Sequence, residues 1–130
     1  MKKQIIVSLF LLFTILHHGQ TQESTTYVGR YILSTNIESF ILIDPVTEIK
    51  YVLDSDQIYI TSYDKDDNQL WQTDPWKDNN LRQYRVERPI IVRFYFSTYR
   101  ESEIIWITYN NTQFGIIDKL TGEFCYFGQD

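Results

Sequence analysis

Gln57 to Tyr63 alternates without a break: Ile58, Ile60 and Ser62 fall on one side, Tyr59, Thr61 and Tyr63 on the other. A period of two is the mark of a strand whose faces meet different surroundings, and it rules out a helix there. Ile90 to Arg100 shows the same pattern over a longer run. Ile90, Val92, Phe94 and Phe96 are assigned to the core, and Ile91, Arg93, Tyr95, Ser97 and Tyr99 to the opposite face. Shorter strand signals are Tyr27–Leu33, Phe40–Asp44, Ile49–Asp54, Gln69–Thr73, Glu103–Tyr109, Gln113–Asp118 and Glu123–Phe127. Polar turns separate them. Asp74-Pro75 is a helix start, with Asp as N-cap and Pro at the first helical position. It predicts a short helical insert over Pro75–Leu81, and the Asn79-Asn80 pair argues against anything longer. About nine short strands at hairpin spacing, with no helix long enough for a βαβ unit, predict an all-β fold. The expected form is a single antiparallel sandwich or barrel.

The first 22 residues read as a cleaved signal peptide. Lys2 and Lys3 precede a twelve-residue apolar run, Ile5 to Leu16, broken only by Ser8 and Thr14. That is the length of a signal-peptide core and too short for a spanning helix, which needs roughly 20 apolar residues. The expectation is therefore a single β domain over residues 23–130, exported to the periplasm or the cell exterior, with no membrane span after cleavage.

Composition then removes whole classes of chemistry. Both histidines, His17 and His18, fall in the leader, which excludes Ser-His-Asp and Cys-His catalysis and His-ligated metals downstream. A lone Cys125 excludes an internal disulfide and a cysteine-cluster metal site. Residues 23–130 carry ten basic and 17 acidic side chains, a net charge of −7, which argues against nucleic acid as the main partner. They also hold 19 of the 21 aromatic residues, ample for a packed core. No cofactor is expected, and no enzymatic activity. The remote alternative is a carboxylate-only hydrolase built on Glu101 and Glu103.

Three segments share a strand, an Asp, a polar turn and a returning strand: Ile43–Ile49, Tyr63–Trp71 and Ile117–Phe124. The Asp carboxylate accepts backbone N–H groups and closes the turn. The first and third segments look similar to the strand-turn-strand units of β-propeller blades and tryptophan-glycine β-repeats, most closely over Phe114–Gly122. Any Asp-turned hairpin gives such a match, and nine strands are too few for a closed propeller. No family is assigned from it.

The candidate ligand-binding residues are Tyr59, Tyr63, Arg93, Tyr95, Tyr99, Trp71 and Trp76. Tyr supplies contact area at low entropy cost and Arg supplies directional donors, so a Tyr/Arg sheet face suits a protein or glycan partner. If the strands holding Tyr59/Tyr63 and Tyr95/Tyr99 are neighbours, they form one platform. Trp71 and Trp76 flank Asp74-Pro75, as two walls of a small pocket or as plugs of the core. Lys77 to Arg100 is net +4, with five arginines, and is either an anion patch or internally paired. Asp64, Asp66 and Asn68 open a calcium-loop pattern, but Gln69 replaces its glycine and Pro75 its closing Glu. Cys125 is expected as a buried thiol. Association through exposed edge strands, with a partner or with copies of itself, is the alternative function.

Overall fold

The computed structural model describes Leu33, Ile37 and Ser39–Asp130. The expected leader lies outside the described residues, as does the expected first strand save Leu33. Among the described residues eight strands form: β1 (Ile41–Ile43), β2 (Lys50–Leu53), β3 (Ile60–Tyr63), β4 (Gln69–Thr73), β5 (Ile91–Tyr99), β6 (Ser102–Tyr109), β7 (Phe114–Asp118) and β8 (Phe124–Gly128). They make two four-stranded antiparallel sheets, β1-β2-β3-β4 and β5-β6-β7-β8, each in sequence order.

Aspartates close four of the turns. Asp44 Oδ1 accepts the Val46 and Thr47 amides at 2.8 and 3.1 Å, and Asp54 Oδ1 accepts those of Ile58 and Tyr59 at 2.7 and 3.0 Å. Asp64 Oδ1 takes Asp66 and Asn68, both at 2.9 Å. Asp118 Oδ1 takes Leu120 and Thr121 at 2.8 and 2.9 Å. Each carboxylate satisfies amides that a tight turn leaves without strand partners. Asp74 follows Asp64 at the same ten-residue step but caps a helix instead, its Oδ1 accepting the Lys77 amide at 3.1 Å. That helix, α1, is only Pro75–Asp78. It falls short of the expected Leu81 because Asn79 turns its side chain back onto the Pro75 carbonyl, at 2.7 Å, and takes over as cap.

The sheets share one apolar cluster. Tyr51, Leu53 and Ile60 from the first sheet meet Ile91, Phe94, Ile105, Ile107, Ile117 and Phe124 from the second. The alternation seen in sequence explains the set: Ile60 and Ser62 face in from β3, and Phe94 faces in from β5, while Tyr63 and Tyr95 face out. Hydrogen bonds join the sheets at both ends of the cluster. Trp71 Nε1–H donates to the Lys119 carbonyl at 3.1 Å. At the other end the Ile91 amide donates to the Gln57 carbonyl at 2.8 Å, and Gln57 Nε2 donates back to the Ile91 carbonyl at 2.7 Å.

Two sequence assignments are corrected. A bulge between Ile91 and Arg93 breaks the alternation at the start of β5, so Ile91 joins the core cluster rather than the Tyr/Arg face. Cys125 is exposed, not buried, because Phe124 takes the inward position at the start of β8.

Candidate functional site

The outward face of the second sheet gathers aromatic rings from all four strands. Register aligns Tyr95 with Trp106 and Trp106 with Ile116, and Arg93 with Thr108 and Thr108 with Phe114. The Tyr95 and Trp106 rings lie 6.4 Å apart at 20°. Trp106 and Phe114 lie 5.5 Å apart, also at 20°. Phe127 meets Trp106 edge-on at 6.0 Å and Tyr99 at 5.0 Å. Trp106 is thus the hub, and its Nε1–H donates to Thr108 Oγ1 at 3.0 Å, which fixes the indole. Near-parallel rings this far apart are offset, so each keeps uncovered face area. Tyr95 and Tyr99 are 44% and 39% exposed.

Two arginines border the rings. The Arg100 guanidinium sits over the Tyr99 ring, 5.2 Å from its centroid. Arg93 is exposed and donates from Nη1 to the Val92 carbonyl at 3.0 Å. Among the described residues, neither is ion-paired with a carboxylate. Arg88 behaves differently: it is bound to the buried Asp74 and lies over the Trp76 ring at 4.9 Å. The basic segment is therefore divided, with Arg88 paired internally and Arg93 and Arg100 left facing outward.

The other sequence candidates are dispersed. Tyr63 ends β3 in the first sheet, where β3 pairs with β2 and β4, and Tyr59 lies in the loop just before β3, so neither extends the Tyr95/Tyr99 face. Trp71 and Trp76 have separate surroundings. Trp71 packs on Tyr51, 5.9 Å between centroids, while Trp76 donates to Gln113 Oε1 at 3.1 Å. Both are half-buried against the core, which favours plugs over pocket walls. At the Asp64–Asn68 turn, Asp64 spends its oxygens on the turn itself: Oδ1 on two amides and Oδ2 on Asn68 Nδ2 at 3.1 Å. Glu101 stands in the β5–β6 turn at φ 65° and Glu103 is engaged with Lys119 at 2.7 Å. Sequence reasoning missed Trp106, Phe114 and Phe127. The outward position of Trp106 was readable, because it alternates with Ile105 and Ile107; which strand lay beside it was not.

A second polar centre joins the two sheets. Lys119 is bound to Asp44 on one side and Glu103 on the other, with its Nζ 5.0 Å from the Phe96 ring centroid. Burial works against the Lys119 ammonium, and the two carboxylates outweigh it, holding its pKa above the ordinary lysine value. Lys119, then the Val46 and Thr47 amides, pull the Asp44 carboxyl down to about 2. A folded-state pKa below the unfolded one adds stability above pH about 4, which is lost as pH falls through about 2. Asp44→Asn keeps an oxygen for the turn amides but loses the charge. Urea melts from pH 6 to pH 2 should show wild type and Asp44→Asn converging at the acid end. A constant gap would mean the carboxylate charge contributes nothing.

Comparison of the chain with family models, curated proteins and solved structures found no match. No helix among the described residues is long and apolar enough to cross a membrane.

Proposed function

We propose that this chain is an exported, non-catalytic binding domain that engages a glycan or a protein on the outward face of its second sheet. The observation that carries the reading is the connected set of five rings, Tyr95, Tyr99, Trp106, Phe114 and Phe127, bordered by Arg93 and Arg100. Offset rings with free faces suit the C–H face of a sugar, and outward guanidinium groups suit carboxylate oxygens. The glycan reading is preferred on that ground.

The test is calorimetric titration with a neutral oligosaccharide and a uronate-bearing one. Tyr95→Ala with Tyr99→Ala should weaken binding about tenfold, roughly 1.4 kcal/mol, at a cost in stability of about 2 kcal/mol or less that leaves the chain folded. Arg93→Gln should weaken only the uronate ligand, and added salt should do the same. Binding that ignores all three substitutions would remove the reading.

Association through an edge strand is the second reading, favoured by the position of the nine-residue β5 at the rim of its sheet. The finer architecture is part of the same proposal: one domain, a single antiparallel sandwich or barrel. Two features support it, the core shared by both sheets and the Leu33 amide donating to the Asn110 carbonyl at 2.8 Å. Export is tested by intact mass. The exported protein should begin between Gln20 and Glu23, and a species retaining Met1 would overturn the signal-peptide reading.

A further inference from the structure

Two similar turns, far apart in sequence, meet at one end of the molecule. Asp44-Pro45-Val46-Thr47 joins β1 to β2, Asp118-Lys119-Leu120-Thr121 leads from β7 toward β8, and the Asp44–Lys119 ion pair ties them together. Each turn lifts an aliphatic side chain into solvent. Val46 is 88% exposed and Leu120 80%, well above every other exposed large hydrophobic residue described. Turn tips are ordinarily polar, so two bare aliphatic tips side by side call for an explanation. Between them lies a hollow of about 310 Å³ with Ile49 and Tyr51 in its lining.

The hollow is also negatively charged. Lys119, its one cation, is only 10% exposed and is spent on two carboxylates, leaving a surplus of one negative charge. The Glu103 side chain is 63% exposed, so it remains open to a further donor. Glu48, Asp118 and Glu123 in the same two turns are exposed as well. Lys50, the nearest base along β2, is bound to Asp67. The aliphatic tips and lining want an aliphatic partner, and the acidic rim wants a cationic one.

We propose that this hollow docks a basic, aliphatic peptide segment of a partner protein. Aliphatic side chains of the segment rest on Val46, Leu120 and Ile49, and its lysine or arginine groups reach Glu103 and Glu48. The site is independent of the ring face. Glu103 aligns with Thr98 on the core-facing side of the second sheet, opposite Tyr95 and Tyr99.

The probe is a short end-blocked peptide alternating leucine and lysine, titrated into the isotope-labelled mature chain and followed by NMR. Shifts should concentrate at Val46, Ile49 and Leu120. A lysine-only peptide of equal length should bind about tenfold more weakly, and a leucine–glutamate peptide not at all. Val46→Ser with Leu120→Ser should cost the leucine–lysine peptide about tenfold in affinity without lowering the melt, since both side chains stand in solvent. Glu103→Gln should weaken binding and reduce its salt dependence, whereas Tyr95→Ala should leave it unchanged. Equal binding of the lysine-only peptide, shifts centred on Tyr95 and Tyr99, indifference to the serine changes, or no binding at millimolar peptide would each overturn the proposal. Concentration-dependent shifts at Val46 and Leu120 without peptide, with a dimer in sedimentation, would overturn it in favour of a second copy of this chain.

Discussion

Phe94→Ala is expected to destabilise the protein by about 3–5 kcal/mol, a large share of the stability of a chain of this size. Phe94 is 6% exposed and sits in the cluster shared by both sheets. Truncating it removes apolar contact and leaves a cavity that two hydrogen-bonded sheets cannot collapse to fill. Tyr95→Ala, one residue along, should cost about 1 kcal/mol or less, the worth of a cross-strand ring contact. Tyr95 is 44% exposed and its described ring contact is with Trp106. Denaturant melts of the two variants read the two faces of β5 directly. Equal losses would mean that both faces are buried, and the ring face would then be no binding surface.

Gly122→Ala should cost about 2–5 kcal/mol, for two reasons that add. Gly122 has φ +75°, where a side chain costs about 1–2 kcal/mol. Its added Cβ would also come 2.6 Å from the Trp71 indole, and overpacking of that kind costs about 1–3 kcal/mol. The indole has little freedom to retreat, because its Nε1–H is held by the Lys119 carbonyl and its ring rests against Tyr51. The expected signature is a lowered melt with a red shift in tryptophan emission, as Trp71 is pushed toward water. An unchanged melt would show that the junction of the β7–β8 turn with β4 is loose.

Much of the fold was legible because its signals are local. Alternation identified β3 and β5, and Asp turns marked the β1–β2, β3–β4 and β7–β8 hairpins. Asp74-Pro75 located the helix start to the residue. What was not legible depended on pairing. Whether Tyr63 and Tyr95 share a face depends on strand order, which no local pattern encodes; they lie in different sheets. The bulge that turns Ile91 inward adds one residue to a strand whose composition gives no sign of it. The Asp44–Lys119 pair spans 75 residues, and neither partner has a sequence neighbourhood that names the other. For the ring face, the sequence supplied Tyr95 and Tyr99 and passed over Trp106, the residue that links Tyr95 to Phe114 and Phe127.

Every described strand is hydrogen-bonded only to strands adjacent to it in the chain, and among the described strands the two sheets are joined through residues 74–90, between β4 and β5. Hairpins of that kind close short loops, so the entropic cost of each pairing is small and the contact order is low for an all-β protein. Folding should be correspondingly quick. Each half owns a complete backbone ladder but only one side of the core. A chain cut between Asn80 and Glu87 would therefore yield two fragments that are sticky alone and complementary together, their reassociation driven by the cluster around Tyr51 and Phe94.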